Sequence, residues 1–206
     1  MSEYRCELGC KMKPILFNTS MVRAILDGRK TQTRRVCKIS TVDWCVEHDK
    51  CNFVEYPAKN YLGVCANFYN GLAYTGAAKP AYQPGDVLYV RETWNVLCGN
   101  YIYKAKQKLG MKNPGKWRPS IHMPKEAARI FLRVKNVRVE RLQEISGEDC
   151  VAEGCDADML HAVGAEFVRG VFSGIWDSTI KKSDLPQYGW DANPWVWVYE
   201  FEQEIS

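Results

Sequence analysis

Several things are missing from this chain of 206 residues. No apolar run approaches the roughly 18 residues that a membrane-spanning helix needs, so an integral helical membrane protein is excluded. No Gly-x-Ser-x-Gly nucleophile elbow occurs, and no Gly-rich phosphate loop, which removes the α/β-hydrolase and P-loop classes. There is no internal repeat and no low-complexity tract. Met1 to Glu7 is polar and lacks the apolar core of a signal peptide, so the expected location is the cytosol. Acids are absent from one stretch, Gly28 to Arg35, and cations are scarce in another. Residues 142–206 carry 3 Lys+Arg against 13 Asp+Glu, a balance of −10. Residues 1–141 carry 25 against 11, a balance of +14. That asymmetry predicts a basic functional surface suited to a nucleotide or nucleic-acid partner, and an acidic tail segment.

The nine cysteines are irregularly spaced, and in a cytosolic protein they should be mostly reduced. Cys45, His48 and Cys51, flanked by Cys37 and Cys65, offer soft ligands but match no standard zinc spacing. Free thiols in a loop are the expectation, with no tightly bound metal and no other cofactor. Cys6, Cys10, Cys98, Cys150 and Cys155 are expected to pack or to sit exposed.

The stretch around which the chain is organised is Gly28-Arg29-Lys30-Thr31-Gln32-Thr33-Arg34-Arg35. Before it, Lys13 to Phe17 reads as a strand and Asn18-Thr19-Ser20 as an N-cap. The apolar run from Met21 to Asp27 reads as a helix stopped by Gly28, where glycine takes the left-handed conformation without a Cβ penalty. Four cations in eight residues repel one another, so a bound anion or polarised carbonyl would relieve them. The plain alternative is a solvated basic turn followed by a charged edge strand.

Further along, residues 39–82 show no sustained period and read as an irregular insertion with a few short strands. A turn at Gln83 to Asp86 leads into a strand from Val87 to Trp94. Ile130 to Leu142 reads as a strand bulged at Lys135-Asn136, which suits a small, bent barrel. Ser146 caps a short helix with acids in its first turn, reaching about Glu153-Gly154. A helix is expected over 157–178, with Met159, Val163, Phe167, Val171 and Ile175 as its buried stripe. Trp195 to Phe201, apolar on both faces, reads as a central strand. The expected class is α+β, a partly closed barrel with flanking helices in a single domain over 1–206.

Gly28-x-Lys30-x-x-Thr33-x-Arg35 resembles the Gly-x-Lys signature of ASCH domains, whose fold is similar to the PUA domain. Pro84-Gly85-Asp86-Val87-Leu88 and the aromatic strand Trp195 to Phe201 resemble the same family. Val90-Arg91-Glu92-Thr93-Trp94 and Pro119-Ser120-Ile121-His122-Met123-Pro124 look like segments of phage- and prophage-encoded members. The resemblance implies an RNA-related module. Some small bacterial members are amidohydrolases that remove the acetyl group from acetylated cytidine without a metal. By that resemblance Lys30, Thr33 and Glu153 are the catalytic candidates: Thr33 as nucleophile, Lys30 as base, Glu153 as proton donor or as the group that orients Lys30. Arg29, Arg34, Arg35, Arg91, Glu92, Arg118 and His122 are candidates for binding a modified nucleoside or RNA. On an ideal strand, positions 30 and 33 point to opposite faces, so a turn has to bring them together. The rival readings are a non-catalytic RNA-binding module using Trp94, Tyr101, Tyr103 and Trp117, and an inactive relative used in protein interaction.

Overall fold

The structure is a computed structural model that describes residues 12–41, 53–60, 63–107 and 115–204. Cys45, His48 and Cys51 lie outside the described residues, as do Cys6 and Cys10.

The class is α+β. β1 (Lys13–Leu16) leads into α1 (Thr19–Leu26). The Asn18 side chain accepts a hydrogen bond from the Met21 amide, and Gly28 takes φ +74 just past the helix. β2 (Gln32–Val36) follows. β3 (Ser40–Thr41), β4 (Phe53–Asn60), β5 (Gly63–Asn70) and β6 (Ala73–Ala78) come next. β7 (Val87–Arg91) is separate from β8 (Trp94–Leu97), which pairs with β9 (Asn100–Tyr103). Then come β10 (Phe131–Arg141), α2 (Gly147–Ala152), α3 (Ala157–Val163), α4 (Ala165–Thr179), α5 (Leu185–Tyr188) and β11 (Trp195–Gln203).

Five strands form one sheet in the order β1-β7-β10-β11-β2, with β1 parallel to β7 and the other pairs antiparallel. The register of β10 against β11 shifts between Val134 and Asn136, which puts a bulge where the apolar phase slips. Among the described residues none of the sheets closes on itself: β1 and β2 are the edges of this one.

β11 is central. Trp197, Tyr199 and Phe201 join one apolar cluster with Ile15, Val22, Ile25, Leu132 and Phe68. Val196 and Val198 join another with Leu142, Cys150, Val168, Phe172 and Trp176. Alternate side chains of one strand therefore serve cores on both faces of the sheet, as a doubly apolar strand requires.

Residues 39–82 are more regular than the sequence suggests. They form an antiparallel sheet in the order β3-β6-β5-β4, with a two-residue connection, Gly71 and Leu72, between β5 and β6. Apart from Phe68, its buried positions hold small or polar residues, among them Ala58, Cys65, Ala66, Asn67, Thr75, Ala77 and Ala78, which give no visible alternation. Phe68, Ala66 and Ala78 pack into the core shared with β11. Cys37 and Cys65 are buried, and burial pushes the Cys37 thiol up. Among the described residues no group of three or more His, Cys, Asp and Glu is placed to hold a metal.

The helix expected over 157–178 is two helices. Gly164 takes φ +87, ending α3 and re-phasing α4. Val168, Phe172 and Trp176 then face the core, while Met159, Val163 and Phe167 of the expected stripe are exposed.

Candidate functional site

Lys30 precedes β2, in the turn after Gly28, so the strand-face conflict with Thr33 does not arise. The turn is held by Lys30 N and Arg29 N, which both donate to Ala24 O, while Thr31 N donates to Ala152 O. Lys30 is 2% exposed. Its Nζ donates to Glu153 Oε2 at 2.7 Å, to Glu153 O at 2.8 Å and to Gln32 O at 2.8 Å. Burial pulls the lysine below its ordinary pKa, against the opposing pull of Glu153. All three ammonium hydrogens have acceptors, however, and this arrangement favours the charged form. Lys30 therefore staples the turn to the end of α2.

β2 alternates. Arg34 points to the α2 side, where its Nη1 donates to Glu153 Oε1 at 3.2 Å and its Nη2 to Asp149 Oδ2 at 2.8 Å. Glu140 on β10 takes the Nε at 2.9 Å and also pairs with Nη2. Arg138 joins Glu140, Asp149 and Glu200, and the Gln32 amide donates to Asp149. Asp149 and Glu153 share a helix face because they are four residues apart. Burial alone would raise the Asp149 carboxyl, but Gln32, Arg34 and Arg138 outweigh it and hold the pKa below the usual range.

Because its folded pKa is depressed, Asp149 contributes stability that is present above the unfolded value of about 3.9 and lost as pH falls through the folded one. Chemical denaturation at a series of pH values should show stability dropping in this acid window. Asp149→Asn should be less stable at neutral pH and show a shallower acid dependence; an unchanged slope would mean that Asp149 is not held by these partners.

Thr33 and Arg35 point the other way. The Arg35 Nη1 donates to Thr33 Oγ1 at 2.7 Å and to Arg34 O at 2.9 Å, and its Nη2 to Leu16 O at 3.2 Å. Arg35 Cζ lies 5.4 Å from the Phe17 ring centroid and Lys30 Nζ lies 5.5 Å from it. Burial lowers the Arg35 pKa, with Glu153, Tyr82 and Tyr199 opposing; a guanidinium stays charged nonetheless. Arg35 forms no salt bridge among the described residues, unlike its neighbour Arg34. A cleft of about 300 Å³ opens beside it, at the free edge of β2. Arg34, Arg35, Met21, Trp176, Thr179 and Ile180 are among the residues that line it.

The structure thus brings Lys30 into direct contact with Glu153, 123 positions away, and joins Thr33 to them through Arg35 and Phe17. Arg34 and Arg35 belong to the same group, but the remaining candidates are not gathered there. Arg29 is exposed and donates to Gly154 O and Asp27. Arg91 donates to the carbonyls of Ile121 and Met123. Glu92, 1% exposed, holds Arg129 through both carboxylate oxygens at 2.8 and 3.0 Å. Arg118 stacks over Trp94 at 5.0 Å, and His122 sits exposed in a short turn. Sequence reasoning missed Arg138, Glu140 and Asp149. The Arg138-x-Glu140 alternation on β10 and the four-residue spacing from Asp149 to Glu153 are the signals that mark them.

No protein-family model, no curated protein and no solved structure matches the chain.

Proposed function

We propose that the chain is an ASCH-type, PUA-like module whose cleft at the free edge of β2 holds a modified pyrimidine, as a free nucleoside or as an exposed base of RNA. The observation that carries this reading is the buried contact of Lys30 with Glu153, beside Arg35, which bonds Thr33, shares the Phe17 ring with Lys30 and lines the cleft. Lys30, Thr33 and Glu153 are the three positions that the resemblance selects, and Glu153 is brought to Lys30 from 123 positions away. The bent five-stranded sheet around β10 and β11 is the counterpart of the PUA-like barrel on this reading. Met21, Trp176 and Ile180 offer apolar walls to a planar ring, and Arg35 offers donors to a base carbonyl.

Hydrolysis of acetylated cytidine is the second reading. The Thr33 hydroxyl lies against the Arg35 guanidinium, an arrangement that suits a nucleophile beside a group able to stabilise an oxyanion. On this reading Thr33 Oγ attacks the acetyl carbonyl, its proton passes to the departing cytidine amine, and water then releases acetate from the threonine ester, while Lys30 orients Glu153.

Calorimetric titration with cytidine and acetylated cytidine, and chromatography of the mixture after incubation, test both. Wild type should bind acetylated cytidine, and Arg35→Ala should weaken binding about tenfold or more, as expected for loss of a charged hydrogen bond. If the protein is a hydrolase, Thr33→Ala should cost at least about 10²-fold in turnover. If it only binds, Thr33→Ala should be mild and no cytidine should be released. Neither binding nor release by wild type would overturn the proposal.

A further inference from the structure

The cations of this chain fall into two groups. Arg34 of β2 and Arg133, Lys135 and Arg138 of β10 are met by the protein's own acids. Residues 93–129 are different. They hold eight Lys and Arg and one acid, Glu126. Arg129 is taken by Glu92. Lys104, Lys116, Arg118 and Lys125 are exposed and form no salt bridge among the described residues.

Aromatic faces accompany these charges. In the β8–β9 hairpin Trp94 pairs with Tyr103 and Val96 with Tyr101, so all four side chains share one face. Val96 and Tyr101 on that face are 39% and 42% exposed. Arg118 lies over the Trp94 ring at 5.0 Å, and Tyr101 meets the same ring at 5.7 Å. The platform is braced by the segment that follows the hairpin. Trp94 and Arg118 exchange backbone hydrogen bonds, Tyr103 Oη donates to Ala127 O, and Arg129 stacks on Tyr103 at 4.3 Å. Arg23 of α1 donates to the carbonyls of Ala105 and Gln107, adding another exposed cation beside Lys104.

We infer that this hairpin face, with the segment 115–125, binds a single-stranded nucleic acid. Lys104, Lys116 and Lys125 meet its phosphates, while Tyr101 and the Arg118 guanidinium stack on its bases. A flat cationic face with exposed π surfaces suits unstacked bases and a mobile backbone, and a duplex keeps its base faces hidden. None of these residues lines the cleft at β2, so the surface stands or falls apart from the nucleoside-binding reading.

The test is fluorescence anisotropy with a labelled pyrimidine-rich single-stranded RNA, the same sequence as duplex, and heparin, over a range of salt. Single strand should bind more tightly than duplex, with log K falling against log salt by about 0.7 per phosphate contacted. Tyr101→Ala and Arg118→Ala should each weaken binding about fivefold or more. Arg118→Lys should recover little of that, since it restores charge without the stacking plane. Lys116→Ala and Lys125→Ala should each flatten the salt slope by about 0.7. Circular dichroism of each surface variant establishes that it is folded. No binding at low salt, binding of heparin and duplex as tight as single strand, or indifference to Tyr101→Ala and Arg118→Ala would each overturn the inference. Arg35→Ala should leave oligonucleotide affinity through this face unchanged, so loss of nucleoside binding and loss of strand binding are read independently.

Discussion

Glu153→Ala should be among the most destabilising single changes in this protein. The carboxylate is 7% exposed and is shared by two buried cations, Lys30 at 2.7 Å and Arg34 at 3.2 Å. Removing it leaves an ammonium in the interior without a carboxylate, whereas Arg34 keeps Glu140 and Asp149. Breaking a buried pair from one side typically costs about 3–5 kcal/mol, because the remaining charge stays desolvated. Urea denaturation should show a lower midpoint with an unchanged slope. A loss below about 1 kcal/mol, the size expected of an exposed pair, would mean that the contact is open to water. The double variant Lys30→Met, Glu153→Leu should recover much of the loss, since it removes both charges together. That recovery distinguishes a stability role from a chemical one. If Lys30 and Glu153 also serve the cleft, the recovered protein should still lose nucleoside binding.

Phe68→Ala should be comparably costly, and it probes how the chain is divided. Phe68 sits on β5, within the segment read from sequence as an insertion, yet it is 0% exposed. Its ring meets Trp195 edge-on at 5.7 Å, and it belongs to the cluster that contains Leu132, Trp197 and Tyr199. Truncating a fully buried phenylalanine costs about 3–5 kcal/mol, from lost transfer energy and the cavity left behind. If the four-stranded sheet folds with the rest, tryptophan fluorescence and circular dichroism should report one coincident transition, shifted as a whole by the substitution. Two transitions, only one of them moved by Phe68→Ala, would mean that the sheet is a separate folding unit.

The elements that could be read without coordinates are those whose signals are local. The Asn18 cap, the stop at Gly28, the bulge in β10 and the Ser146 cap are each written within a few residues, because each depends on a nearby hydrogen bond or dihedral preference. β11 was legible as a central strand because both of its faces are apolar. The four-stranded sheet was not, since alanine, cysteine and asparagine fill most of its inner positions. The stripe on α4 was misplaced by one residue because Gly164, a single backbone dihedral, resets the helical phase.

The charge pattern divides most sharply between what sequence and structure decide. Composition by itself determined that the first 141 residues are strongly basic and the last 65 acidic, and that Gly28 to Arg35 holds four cations and no acid. Only the tertiary structure decided which of those cations face outward. β2 lies beside β11 and under α2, so Glu140, Asp149 and Glu153 supply the anions that the octet was expected to seek from a ligand. Arg34 and Lys30 are used up in this way, while Arg35, one position on and on the opposite face, has no salt bridge among the described residues and lies beside a cleft. The reason is physical. A charge at a given position in the chain has a fixed sign, but its interaction energy depends on the distance and burial of partners brought from more than a hundred residues away.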